Sequence, residues 1–220
     1  METRTSSTEP AAVPHQVLSA ASHELRGPLG VARGYLRLLQ TASLDPRAAK
    51  MVTDAIRATD RMGELLDEVT ELARWARGEH ALTITSVALR DIVVAATTSA
   101  ATPTHAQVRV EVDAPPDVTA DADGAQLTRA CASLLAAIAR SQTRDATIVV
   151  AVRSGNLGRG VLLMAPGDLL DSPAAVRPPA LERAGAGLSI ALADLIVKRH
   201  GGALVERWVG EVWAGYEVRL

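Results

Sequence analysis

Leu18-Ser19-Ala20-Ala21-Ser22-His23-Glu24-Leu25-Arg26-Gly27-Pro28-Leu29 opens a repeat that continues through Ala32, Leu36 and Leu39. Leu18, Ser22, Leu25, Leu29, Ala32, Leu36 and Leu39 step by four and three alternately, the seam of a helix that packs lengthwise on another. A helix is therefore expected from about Val13 to Ala42. Pro28 interrupts it, because proline removes a backbone donor and kinks a helix. Ser43-Leu44-Asp45-Pro46 is a short break, with proline placed to start the next helix. That second helix, about Pro46 to Arg77, repeats the seam at Met51, Ala55, Ala58, Met62, Leu65, Val69, Leu72 and Ala76. At 1.5 Å per residue, two helices of about 30 residues form an antiparallel hairpin about 45 Å long. Its long apolar stripe is covered when two copies pair as a four-helix bundle, so a homodimer is expected.

The composition agrees with helix-on-helix packing. The chain has 220 residues, of which 48% are hydrophobic, 22% charged and only 2% aromatic, with no phenylalanine. Its core is thus Leu, Val, Ile and Ala, and Ala both propagates helix and lets helices approach closely. A net charge of -2 offers no basic excess for nucleic acid or an anionic membrane surface. Cys131 has no cysteine to pair with, which fits a reducing compartment. No apolar run approaches the ~20 residues of a membrane span, and METRTSSTEP lacks a secretory signal. The expectation is a cytoplasmic protein without nucleic-acid or membrane partners and without a membrane sensor of its own.

Residues 1–12 read as a disordered tail, residues 13–78 as the hairpin and residues 79–220 as a second domain, with the boundary near Gly78-Glu79-His80. In that second domain Ala81 to Thr85 alternates like a strand, Ala88 to Ala100 reads as a helix, and Gln107 to Val112 alternates again. Gly124 to Arg140 is an Ala/Leu-rich helix. Thr147 to Arg153 and Gly160 to Met164 form a β pair, and a Pro/Asp-rich loop covers Ala165 to Arg183. Gly187 to His200 is a helix, followed by strands at Ala203 to Trp208 and Glu211 to Arg219. The fold class is α+β: a helical hairpin followed by an α/β sandwich with its helices on one face of a mixed sheet.

The chemistry concentrates at His23 and Glu24. Ser22 and Leu25 lie on the seam, so His23 stands beside it, toward solvent. Neutral imidazole is a nucleophile, and a carboxylate at the next position takes the proton as His23 attacks phosphorus. The segment S-H-E-L-R-x-P-L resembles the H-box of sensor histidine kinases, and Arg61-Met62 through Leu72-Ala73-Arg74 is similar to the end of that family's second dimerisation helix. The resemblance implies that the hairpin is a dimerisation and histidine-phosphotransfer domain, with His23 the phosphoacceptor and Glu24 assisting transfer. At the position where the family usually has Thr or Asn for dephosphorylating its partner, this chain has Gly27.

The second domain resembles the family's ATP-binding domain, the GHKL or Bergerat fold, in a degenerate form. Gln126 through Ala137 matches the N-box. The family's magnesium-binding asparagine falls at Ala137 and its earlier asparagine at Ser133, and a methyl group cannot coordinate a hard cation. The aspartate that bonds adenine falls at Ala165, in Ala165-Pro166-Gly167, and Asp168 is shifted by three positions. Gly185-Ala186-Gly187-Leu188-Ser189-Ile190 keeps part of the G2 box, leaving Gly185 and Gly187 as a remnant of a phosphate cradle. No cofactor is expected; ATP and Mg²⁺ enter only if the chain is a kinase.

The remaining candidates have plain readings. His15, His80, His105 and His200 lack metal-ligand spacing. Asp121 or Asp123 caps the following helix, Trp208 and Trp213 pack in a terminal hairpin, and Cys131 is a buried core residue. Three functional readings follow. The chain is a phosphotransfer protein exchanging a phosphoryl group at His23 with response-regulator receivers, a divergent ATP-dependent kinase, or a non-catalytic adaptor. Arg26, Gly30, Arg33 and Arg37 are candidate receiver contacts by helical spacing.

Overall fold

The computed structural model describes residues 15–100, 108–154, 160–180 and 187–220, with side chains from Leu18 onward. The expected tail at residues 1–12 lies outside them, as do His105 and Gly185. The chain divides into two compact units, with the boundary between Glu79 and His80.

The first unit is α1 (His15–Gln40) and α2 (Pro46–Ala76). Asp45 caps α2, its Oδ1 accepting from Arg47 N at 2.9 Å and Ala48 N at 3.1 Å. Pro46 occupies the first helical position, where its missing N–H costs nothing. Gly78, at φ 72°, follows the helix end in the left-handed conformation that glycine adopts without strain. Contrary to the sequence expectation, α1 runs unbroken through Pro28. The donor that proline lacks would have met the carbonyl of Glu24, which lies on the exposed side of the helix, where the loss is least costly.

The seam divides between two directions. Ser22, 2% exposed, and the half-buried Leu29 and Leu36 share the face turned to α2 with Arg26 and Arg33. Leu18, Leu25, Leu39, Met51 and Met62 stay exposed. Leu25, Pro28, Leu29, Ala32, Met62, Leu65 and neighbouring side chains line an apolar groove of about 510 Å³ along the hairpin. A single hairpin covers only half of so wide a stripe.

The second unit holds β1 (Thr85–Ala88), α3 (Leu89–Ser99), β2 (Val108–Asp113), β3 (Thr119–Ala122), α4 (Gly124–Ser141), β4 (Ala146–Ser154), β5 (Gly160–Pro166), β6 (Ala175–Arg177), α5 (Gly187–Arg199), β7 (Ala203–Val209) and β8 (Val212–Arg219). β1 and β3 form an antiparallel pair. The other six strands form one sheet in the order β2-β4-β5-β8-β7-β6, in which only β2 and β4 run parallel. Ile148, Val150, Val152, Leu162, Met164, Leu204, Tyr216 and Val218 share one face and are buried. The helices cover that face: at Gly160 a Cβ would collide with Leu89 of α3. On the opposite face Ala151 and Ala165 pack beneath Leu170.

Three local expectations are corrected. The strand expected at Ala81 to Thr85 forms instead at Thr85–Ala88, because β3 provides the pairing register there and Thr83 N is taken by Asp123 Oδ2 at 3.0 Å. β3, unforeseen in the polar Thr119–Ala122 segment, exists through that same pairing. The loop expected over Ala165 to Arg183 contains a 3-10 turn at Gly167–Leu169 and the edge strand β6. Buried β7 side chains pin this segment to the sheet. Arg207 Nη2 donates to the carbonyls of Leu170 (2.8 Å) and Ser172 (3.4 Å), and Glu206 Oε1 accepts from Ala180 N at 3.0 Å.

Candidate functional site

α1 places His23 and Glu24 at consecutive exposed positions directly after the buried Ser22. Ser22 Oγ donates to the carbonyl of Leu18 at 2.8 Å, which satisfies the hydroxyl inside the hairpin and fixes which face His23 takes. Among the described residues neither His23 nor Glu24 has a hydrogen-bond or ion-pair partner. The imidazole is thus open to a macromolecular partner along the helix surface.

One turn beyond His23, Arg26 ties the helices together. Its Nη2 donates to Asp67 Oδ1 at 2.7 Å and to Thr70 Oγ1 at 3.0 Å. Arg33 repeats the arrangement, its Nε lying 2.7 Å from Asp60 Oδ1. Both pairs share one antiparallel register. The seven-residue spacing of Arg26 and Arg33 matches that of Asp60 and Asp67, a signal that the apolar seam obscured. Arg26 and Arg33, expected to meet a receiver, are therefore turned toward α2. Val31, Tyr35 and Leu38 instead face outward, at 59%, 66% and 67% exposure.

In the second unit, Ala137 on α4 is 2% exposed and Ala165 on β5 is 0% exposed. Both residues, which the sequence resemblance sets against the family's asparagine and aspartate, are methyls packed in core. Ala165 also faces the side of the sheet away from the helices, against Ala151 and Leu170, and so does not share a surface with α4. Asp168 sits in the exposed 3-10 turn. Gly187 is the first residue of α5. These residues do not fit a magnesium nucleotide, which needs hard oxygen donors on the metal and a polar partner for the base. Among the described residues no group of three His, Cys, Asp or Glu is placed to hold a metal ion.

The polar junction of this unit is Asp123. It caps α4 by accepting from Gln126 N at 3.1 Å, and its own N–H donates to His200 Nε2 at 3.0 Å. His200 Nδ1 lies 2.8 Å from the carbonyl of Ile196. Burial pushes the Asp123 carboxyl up, but the N–H groups of Thr83 and Gln126 and the nearby His200 outweigh it and hold the carboxyl below its ordinary value. Burial pushes the Cys131 thiol up to about 12.

Comparison with known proteins matches residues 15–78 to the His Kinase A (phospho-acceptor) domain. The chain is 33% identical over 205 residues to "Probable sensor histidine kinase TcrY" of Mycobacterium tuberculosis, covering 86% of this chain and 42% of that protein. It is 30% identical over 207 residues to sensor histidine kinase TrcS of the same organism, covering 86% of this chain and 40% of that protein. The chain thus spans about two fifths of the length of these curated relatives. The crystal structure of full-length ShkA in complex with AMPPNP shares the fold, with a TM-score of 0.61 at 20% identity over 94% of this chain and 45% of that one. No helix of the described residues is long and apolar enough to cross a membrane. With its phospho-acceptor hairpin followed by a mixed-sheet α/β domain, the chain belongs to the histidine kinase family.

Proposed function

We propose that this chain is a dimeric, cytoplasmic histidine phosphotransfer protein of two-component signalling, exchanging a phosphoryl group at His23 with response-regulator receivers and without ATP. The observation that carries this reading is the burial of Ala137 and Ala165 as packed methyls in a chain that keeps His23 and Glu24 exposed. In the forward step a ring nitrogen of neutral His23 attacks phosphorus. The bond to the receiver's phosphoryl-bearing group breaks, and that group leaves with the electron pair. Glu24 draws the proton from the other ring nitrogen. The reverse step passes the group to a second receiver.

Two surfaces support the assembly. The apolar groove beside Leu25 and Met62 suits a second hairpin, giving a homodimeric four-helix bundle. The outward stripe of Val31, Tyr35 and Leu38 starts two turns past His23 and suits a receiver helix. The test incubates the protein with phosphorylated receivers. Label is expected on His23 and absent in His23→Gln. Failure of every cognate receiver to transfer label refutes the reading.

A second reading, ATP-dependent autophosphorylation of His23, is favoured by the relatives named as sensor histidine kinases. It requires label on His23 from ATP and Mg²⁺ alone. Calorimetry showing no heat at millimolar ATP excludes it.

A further inference from the structure

The six-stranded sheet treats its two edges differently. β6 is three residues long and is flanked by Pro173, Pro178 and Pro179, the features that keep an edge from pairing. β2 at the other edge is six residues long and contains no proline, glycine or lysine. It pairs with β4 over all six residues without a bulge, and among the described residues no strand lies on its outer side.

The side chains of β2 form a self-complementary pattern. Val108, Val110 and Val112 lie on the helix-covered face, and Val112 keeps 37% exposure. Arg109, Glu111 and Asp113 lie on the other face. Asp113 is paired with Arg153 at 2.7 Å. Arg109 and Glu111 are exposed and have no ion-pair partner among the described residues. If a second β2 is laid antiparallel with Val110 opposite Val110, then Arg109 of each copy faces Glu111 of the other and Val108 faces Val112. A register centred on Glu111 sets two glutamates opposite each other and brings Arg109 only to an Asp113 already paired with Arg153, and one centred on Arg109 sets two arginines. Charge therefore selects the Val110-centred register.

We propose that β2 is a homotypic interface, through which a second copy of this chain adds its own β2 antiparallel and joins the two sheets about a twofold axis at Val110. The interface is isologous, satisfies the outer backbone groups of both edges and covers Val112. It is independent of the phosphotransfer reading and of the hairpin groove, which lies in the first unit.

The experiment is disulfide trapping in the full chain. Directly opposed residues of antiparallel strands have Cα atoms about 4.5–5.5 Å apart, within disulfide reach. The native thiol, Cys131, is buried and does not compete. Val110→Cys under mild oxidation is expected to run mainly as a covalent dimer on a non-reducing gel. Adding Glu111→Arg sets arginine against arginine and is expected to cut trapping about tenfold. Adding Arg109→Glu to that variant restores the opposite charges and is expected to recover it. Circular dichroism verifies that each variant folds. No trapping in folded Val110→Cys overturns the proposal, as does equal trapping in all three variants, which is random collision. A β2 edge reserved for another protein's strand gives the first of these results.

Discussion

Arg26 lies 2.7 Å from Asp67 across the hairpin, one helical turn past His23, and Arg33 repeats the contact with Asp60 two turns further on. The face between α1 and α2 is thus fastened by two ion pairs in one register as well as by its apolar seam. The apolar residues displaced from that face are the ones left free for a second hairpin. The Arg26 and Asp67 side chains are 39% and 71% exposed, so solvent screens them. A double-mutant cycle with Arg26→Ala and Asp67→Ala is expected to give a coupling of about 0.5–1 kcal/mol in urea unfolding, falling in high salt. A coupling of zero at low salt contradicts the clamp.

Asp123 sets an acid limb on stability. Its folded carboxyl titrates below the ordinary 3.8, whereas unfolded Asp titrates near 3.9. The unfolded chain therefore binds the proton more readily. The stabilisation is full above about pH 4 and is lost as pH falls through the folded value. Asp123→Ala removes the cap of α4 and the acceptor of Thr83 N, and is expected to cost about 1–2 kcal/mol at neutral pH. The difference from wild type narrows in unfolding titrations below about pH 4. A gap that widens on acidification reverses the assigned sign.

Placing asparagine at position 137, where the sequence resemblance sets the family's metal ligand, is expected to harm the fold without creating a nucleotide site. Ala137 is buried, so Ala137→Asn overfills the space behind α4 and buries an amide without partners. The expected loss is about 1–3 kcal/mol in thermal or urea unfolding. Calorimetry with Mg-ATP is expected to show no binding. Micromolar binding by this single variant means that the ATP site is nearly intact.

Among the described glycines, Gly215 leaves the least room for a Cβ. At φ 109° it holds a conformation that L side chains rarely adopt, and a Cβ there would lie inside the van der Waals shell of the Met164 carbonyl oxygen. Gly215→Ala is expected to cost about 3 kcal/mol or more. Gly210→Ala, at φ 60° but with nothing within 4 Å, incurs only the conformational penalty. Gly215→Ala is expected to lower the melting temperature more than Gly210→Ala.

The hairpin was legible in the sequence because its signals are local. A four-three alternation, Asp45 and Pro46 before one helix and Gly78 after it all act within a few residues, and the structure keeps them within two or three positions. The exposure of His23 was legible for the same reason, since the buried Ser22 beside it fixes its face. Position before α4 narrowed its cap to Asp121 or Asp123, and the structure selects Asp123. Tertiary structure decided what depends on residues far apart in the chain. Arg26 reads as a surface charge until Asp67 arrives 41 residues later. β6 lies in a Pro/Asp-rich stretch and becomes a strand only because Arg207 and Glu206 hold that stretch to the sheet. Ala165 could be aligned by sequence, but only the pleat shows that it faces Leu170 rather than the helices. Periodicity gives which residues share a face, and pairing across the fold decides what that face meets.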